Sequence, residues 1–360
     1  MMLMRSKAIA MWAGFSLALI CSSVSRATSI KEMPENAPRP MPVGVSLSIL
    51  DVQGIKENLN TLYATVEFHQ TWRDPRLAFD PIKLGAEEIV HTDTDAKQFL
   101  DTHWNPHIVL TNQISTTGTP EVGVEIRPDG TVSVITTVNA GFYIRSDYFD
   151  FPFDRQAFPI DIASDRYYRD LLTLSYGSGG KAASVIDRSV HLAQWTLTGL
   201  SPERSTRIGW DGTSFEHLTV KILATRNTLQ YAPQIFLPYL FIMISPLIVL
   251  MLKVDSVVEK TTMLSGAALA TIALQFTVAA SFPEVVLTDN IVSRMFWLGY
   301  AFLLIMLILV ITVYNHTIAW FKDPYVIAEI RAQLNWVPAM IFLVLLIGTI
   351  LAPVLRHMFA

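Results

Sequence analysis

Glu259-Lys260-Thr261-Thr262-Met263-Leu264-Ser265-Gly266-Ala267-Ala268-Leu269-Ala270-Thr271-Ile272-Ala273-Leu274-Gln275-Phe276 opens an apolar span at residues 261–282, yet small and hydroxyl side chains crowd it. Gln275 sits near membrane depth, where a polar side chain is costly unless it faces protein or water. Two explanations fit. Small residues let helices pack closely in lipid. Alternatively, several copies of the helix surround an axis and line a water-filled path, because small polar side chains neither block a path nor leave an ion without oxygens. The stripe Glu259, Thr262, Gly266, Leu269, Ala273, Phe276, Ala280 advances by three and four, so it occupies one helix face. Thr261, Ser265 and Ala268 mark a neighbouring face, so the register is not unique. One chain cannot enclose a channel with a single such helix, whereas a symmetric ring of copies can.

Three other apolar segments accompany it, at residues 235–252, 291–313 and 337–355. Each comes near the ~20 residues that cross ~30 Å of hydrocarbon at ~1.5 Å per residue. Residues 233–360 therefore read as a four-helix transmembrane bundle with short connections. Lys253, Lys260, Lys322 and Arg331 fall in the loops that this topology puts inside. The outer loop Ser281–Asn290 carries Glu284 and Asp289 but no Lys or Arg, in keeping with the positive-inside rule.

Upstream, the pattern changes. The chain of 360 residues is 51% hydrophobic and only 16% charged, but the charge deficit is confined to the apolar half. Val43–Asp51 and Leu62–Trp72 alternate as half-buried strands. Val122–Ile126 and Thr131–Val138 flank Arg127-Pro128-Asp129-Gly130, a hairpin turn. Leu192–Leu200 and Phe215–Ala224 read as another pair, joined by a polar loop at Ser205–Ser214. With no long helical period, residues 28–232 read as an immunoglobulin-like β-sandwich. A net charge of -4 supplies no basic patch for nucleic acid.

Residues 1–27 read as a signal peptide: Arg5 and Lys7, an apolar run from Ala8 to Ile20, then Ser25-Arg26-Ala27. Cys21, the only cysteine, lies inside it, so the mature chain has no disulfide or thiolate chemistry. The soluble domain is then expected on the periplasmic or extracellular side of an inner (plasma) membrane. There is no nucleophile motif, no metal-ligand spacing and no Gly-rich phosphate loop, so an enzyme is not expected, nor a metal or cofactor.

The most specific string of the soluble half is Phe151-Pro152-Phe153-Asp154-Arg155-Gln156. With the order of β-domain then four spans, it resembles the pentameric ligand-gated ion channels, the Cys-loop receptor superfamily, and a bacterial member in particular. Trp72-Arg73-Asp74, Arg76-Leu77-Ala78-Phe79-Asp80 and Trp104-Asn105-Pro106 match its strand and loop motifs. Arg226, Pro238, Glu259-Lys260-x-Thr262 and Pro283 fall at family positions around the spans. The two name-giving cysteines are replaced by Ile144 and Phe158, with thirteen residues between them, as in bacterial relatives.

The resemblance implies a homopentameric ligand- or proton-gated channel, probed by small-molecule agonists or protons, passing cations and embedded in membrane lipids. It implies a pore lined by the stripe above: Glu259 as an inner ring of carboxylates, with Lys260 turned away, Thr262 at the narrow end, Leu269 as a hydrophobic gate, Phe276 as a second constriction. It implies a coupling site of Glu57, Asp154 and Arg226, with Pro152 and Phe153 pressing near Pro283. It implies an agonist site between subunits, with Asn112, Tyr167, Trp210 and Phe215 as candidates. Thr111 stands where amine receptors have an aromatic, so that cage is incomplete. Trp195 reads as core, and His107 as a surface or core histidine before it reads as a group that titrates near neutral pH. A membrane-anchored periplasmic binding protein that oligomerises without conducting is the other reading left open.

Overall fold

The computed structural model describes residues 30–35, 37–177, 186–187, 190–209, 211–251, 257–314, 325–326, 329, 336–337 and 339–349. The expected signal peptide with Cys21, and Trp210, Lys253, Lys322 and Arg331, lie outside the described residues.

The N-terminal half is built from β1 (Met41–Lys56), β2 (Thr61–Arg73), β3 (Ile89–Thr92), β4 (Ile108–Leu110), β5 (Gln113–Thr116) and β6 (Glu121–Ile126). They are followed by β7 (Thr131–Tyr143), β8 (Arg155–Ser164), β9 (Leu172–Tyr176), β10 (Trp195–Ile208) and β11 (Ser214–Arg226). One sheet runs β3-β6-β7-β2-β1-β9 with β5 on β7, and the other runs β10-β11-β8-β4. The alternation in the sequence is the packing: Val43, Val45, Leu47 and Ile49 of β1 point inward beside Leu62, Ala64, Val66 and Phe68 of β2. Phe158, Ile160 and Ile162 of β8 and Leu218, Val220 and Ile222 of β11 meet them from the second sheet. Ile144 and Phe158 are both fully buried in this core.

One expectation needs correction. The polar loop at Ser205–Ser214 is shorter than read: β10 continues to Ile208 and pairs with β11 from Ser214, leaving five residues between. Polar side chains on the exposed end of a hairpin hide strand from a hydrophobicity reading. A helix, α2 (Asp93–Thr102), also follows α1 (Pro81–Leu84). Its only buried residues are Ala96 and Phe99, too few to write a helical period, while Asp93 and Asp95 favour its N-terminal end.

The hairpin turn lies where expected. Gly130 has φ +81°, and its N–H donates to the Arg127 carbonyl at 2.9 Å. A Cβ there would lie 2.4 Å from the Asp74 carbonyl oxygen, so the glycine is needed for close approach as well as for its left-handed backbone.

The apolar half comprises α3 (Leu237–Met251), α4 (Val257–Ser281), the short α5 (Pro283–Leu287) and α6 (Ile291–Tyr314). Segments Thr228–Ile248, Val258–Ser281 and Ile291–Ile311 are long and apolar enough to cross a membrane. The expected fourth span is described over Ala339–Thr349, and Phe342 stacks on Phe302 of α6 at 4.3 Å. The fold is thus a ligand-binding-type β-sandwich followed by a transmembrane helix bundle. A reciprocal cap starts α6: the Ser293 N–H donates to Asn290 Oδ1 at 3.0 Å and the Asn290 N–H to Ser293 Oγ at 3.1 Å. The Tyr300 hydroxyl donates to Gln275 Oε1, which offsets part of the cost of an amide at that depth.

Gly130→Ala should lower the apparent melting temperature of the purified protein, at a cost of about 1–3 kcal/mol for a strained backbone plus the Asp74 clash. Gly118→Ala is the control, since Gly118 shares φ +81° but its Cβ would meet nothing within 4 Å; equal losses for the two would refute the close-approach argument.

Candidate functional site

Three distant segments converge beneath the sandwich. The turn after β1 brings Glu57, the loop before β8 brings Asp154, and the end of β11 brings Arg226. Arg226 Nε donates to Asp154 Oδ1 at 2.6 Å and Nη2 to Asp154 Oδ2 at 3.1 Å. Nη1 and Nη2 donate to the Glu57 carboxylate at 2.7 and 2.8 Å, and Nη1 also to the Tyr231 hydroxyl at 2.8 Å. All five guanidinium donors are therefore used. The Asp154 carboxylate also accepts from Gln156 Nε2 at 2.6 Å, and Gln156 bonds back to the Asp147 main chain.

All three charged groups are buried. Burial alone would lower the Arg226 pKa, but the hydrogen bonds and charges of Glu57 and Asp154 outweigh it and hold the guanidinium well above its usual range. Burial, then the charge of Glu57, pushes the neighbouring Tyr148 hydroxyl upward.

An aromatic shell surrounds the guanidinium. Trp195 lies 4.1 Å and Phe151 4.8 Å from its carbon, ring centroid to Cζ, with Tyr231 and Phe282 at 5.5 and 5.9 Å. Phe151 packs on Tyr231 at 5.2 Å and on Phe282 at 5.4 Å. It belongs to the hydrophobic cluster of the membrane helices although the chain carries it in the soluble half. Sequence reasoning put that contact on Pro152, Phe153 and Pro283. Pro152 is buried, its carbonyl accepting from Thr228 Oγ1 at 3.1 Å; Phe153 is half-buried; Pro283 is exposed at the start of α5. Their neighbours Phe151 and Phe282 pack on each other across the boundary. The signal was present, since Phe151 opens the same FPFD string, but an irregular loop has no period to tell which side chain faces inward.

The helix α4 divides cleanly. Lys260 (2% exposed), Leu264, Ala267, Thr271, Val278 and Phe282 are buried on one side. Glu259, Thr262, Gly266, Leu269, Ala273, Phe276 and Ala280 are all exposed in the single chain, Leu269 at 68% and Phe276 at 72%. Thr262 Oγ1 donates to the Val258 carbonyl at 2.7 Å and Ser265 Oγ to that of Thr261 at 2.8 Å. A hydroxyl whose proton is committed to its own helix presents oxygen lone pairs outward.

The candidate agonist residues are less united. Asn112 is spent on the scaffold: Nδ2 donates to the Tyr143 and Pro159 carbonyls at 3.0 and 2.8 Å, and Oδ1 accepts from the Asp161 N–H at 2.9 Å. The Tyr167 hydroxyl accepts from Trp104 Nε1 at 2.8 Å. Phe215 stands half-buried against Gly209 at the five-residue loop that holds Trp210. His107 lies 3.9 Å from Asp165, and burial, then Arg166, lower its pKa. His217, which the sequence reading passed over, is lowered likewise by burial and then by Arg207.

Comparison with known proteins bears on this arrangement. The neurotransmitter-gated ion-channel ligand binding domain matches residues 23–228. The pH-sensitive chloride channel 2 of Drosophila melanogaster is 27% identical over 202 residues, 53% of this chain and 38% of that protein. The proton-gated ion channel of Gloeobacter violaceus is 24% identical over 213 residues, 58% of this chain and 56% of that protein. The gamma-aminobutyric acid receptor subunit theta of Mus musculus is 25% identical over 238 residues, 65% of this chain and 36% of that protein. The chain thus spans from just over a third to just over half of the length of these relatives. With a family domain over more than half of its length and apolar helices behind it, the chain belongs to the neurotransmitter-gated ion-channel family.

Proposed function

We propose that five copies of this chain form a cation channel opened by a small molecule or by protons, with the sandwich outside an inner (plasma) membrane. The observation that carries the reading is the division of α4: a stripe of small, hydroxyl and two bulky apolar side chains faces away from its own chain. Arranged about a five-fold axis, that stripe encloses water. Glu259 forms an acidic ring at its inner end that concentrates cations and repels anions, while Lys260 is buried on the far side. The outward lone pairs of Thr262 favour the same sign of charge. Leu269 closes the path by dewetting, with Phe276 as an outer constriction. Two relatives are named chloride channels, so the cation preference proposed here rests on the Glu259 ring alone.

The Glu57–Arg226–Asp154 cluster links three segments of the sandwich to the first membrane helix. An agonist bound between subunits shifts a two-state equilibrium, and a cluster this rigid transmits the shift to Phe151, Phe282 and the outer end of α4. The candidate agonist contacts are Tyr167, Phe215 and Trp210. Asn112 supports that site by fixing the β4–β5 turn.

Recording from the purified protein in planar bilayers, during pH steps and a ligand screen, tests the reading; silence throughout with intact pentamers would leave a non-conducting binding protein. Glu259→Ala should move the reversal potential in a salt gradient toward zero, and an unmoved potential removes the acidic ring. Leu269→Ala deletes three carbons from the constriction, at ~0.8 kcal/mol each. It should raise resting leak and lower the half-maximal agonist concentration by about tenfold or more; an unchanged dose curve means the gate lies elsewhere. Arg226→Ala strands two buried carboxylates at a cost of about 3–5 kcal/mol, so pentamers should be lost from gel filtration. Arg226→Lys keeps the charge but not the fork, and should assemble while gating poorly; normal gating by it would refute the coupling role.

A further inference from the structure

The strand β4 ends the second sheet, with β8 on one side only. A cavity of about 180 Å³ lies between β4 and the strands β2 and β7 of the first sheet. The stretches that form it, residues 61–73, 108–120 and 131–143, lie wholly within the described part of the chain. An apolar cavity of about 150 Å³ holds one benzene molecule, so this one has room for a single ring and a small polar group.

Phe68 of β2, Val138 of β7, Ile108 and Leu110 of β4, and Pro120 give the cavity apolar walls. Gln70 lies one pleat beyond Phe68 on the same inward face of β2. It is only 9% exposed, and its side-chain amide has no hydrogen-bond partner among the described residues. That amide is not sealed in, as the indole N–H of Trp72 further along the face is; it is open to the cavity. A buried amide without a partner is costly, and an apolar side chain of the same shape would avoid the cost. The position thus holds an amide that the fold itself does not use. Thr136, opposite Phe68 on β7, and Gln113 add a hydroxyl and a second amide.

We propose that this cavity binds a small aromatic carboxamide: one ring carrying a neutral group that both donates and accepts. Gln70 offers an N–H and a C=O side by side, and a carboxamide answers both through two reciprocal hydrogen bonds. An alcohol answers one at a time. A carboxylate accepts from the N–H but sets its charge against the C=O, and the polar side chains that line the cavity among the described residues are neutral. The ring lies between Phe68, Val138 and the side chains of β4. The agonist candidates Tyr167 and Phe215 stand on other segments, so this is a second site, built within one chain. Leu110 and Gln113 flank the turn that Asn112 fixes with its three backbone bonds. A molecule held here sets that turn and so modulates gating; that consequence, unlike the binding, rests on the channel reading.

Binding is tested on the full chain in detergent by fluorine NMR, with para-fluorobenzamide as the probe and protein-free detergent as the blank. The probe resonance should broaden with the protein and sharpen again when unlabelled benzamide displaces it. Para-fluorobenzoate should bind about tenfold more weakly or worse. Gln70→Leu keeps the bulk of the side chain without its amide. It should weaken the carboxamide by about tenfold or more, yet hold para-fluorotoluene at least as tightly as the unaltered chain does. Thr136→Trp, which fills the cavity, should abolish binding of both. Absence of displaceable broadening, equal affinity for the carboxylate, or binding that survives Thr136→Trp would each overturn the site. So would an unchanged carboxamide affinity in Gln70→Leu, or loss of the fluorotoluene along with it. Where Gln70→Leu yields no folded protein, the ratio of carboxamide to carboxylate on the unaltered chain decides. The measurement needs no current, so its failure is separate from failure of the channel reading.

Discussion

A single buried guanidinium organises the meeting of the two halves of this protein. A charge taken out of water is tolerated only when its partners replace the lost hydration. Arg226 meets that demand with two carboxylates, one phenol and an aromatic enclosure. The partners come from positions 57, 154 and 231, so the demand of one side chain fixes four stretches of chain at once. Removing Arg226 leaves two buried carboxylates without their cation, and removing either carboxylate leaves two guanidinium donors without acceptors. Such a knot has few intermediate arrangements, which suits the proposed role of passing on a displacement rather than absorbing it.

The second constraint acts in the membrane. A helix that buries one face against its own bundle and leaves the other to its surroundings must find something for that other face. Lipid would suit the exposed outer faces of α3 and α6, rich in Leu, Ile and Phe. It suits the inner part of the α4 face less well, where Glu259, Thr262 and Gly266 offer little surface to acyl chains and keep polar atoms among them, although Leu269 and Phe276 share that face. That division is the ground on which we propose that copies of α4 surround water.

What could be read beforehand follows the range of each physical signal. Strand alternation in β1 and β2 and the face of α4 are local patterns, written every second or every third and fourth residue, and they are legible without any partner. The union of Glu57, Asp154 and Arg226 is not a local pattern; it was reached through the resemblance, on the FPFD string and the arginine before the first span. The contact of Phe151 with Phe282 was not legible, because direction in an irregular loop is set by what packs on it. The helix α2 was missed since two buried residues leave no period. Asn112 illustrates the opposite error: a polar residue beside a binding loop looks available until its three backbone bonds are seen.

Ile144 and Phe158 bracket the loop that carries Phe151 and Asp154, and both are sealed in the sandwich core. Relatives that bear the name-giving cysteines fasten this loop with a covalent bond; here water's aversion to hydrocarbon does the fastening. Reductants should therefore leave the joint intact. Cold should slacken it, since the grip of apolar burial weakens as temperature falls, and the working temperature of the host becomes part of how firmly one half of the molecule holds the other.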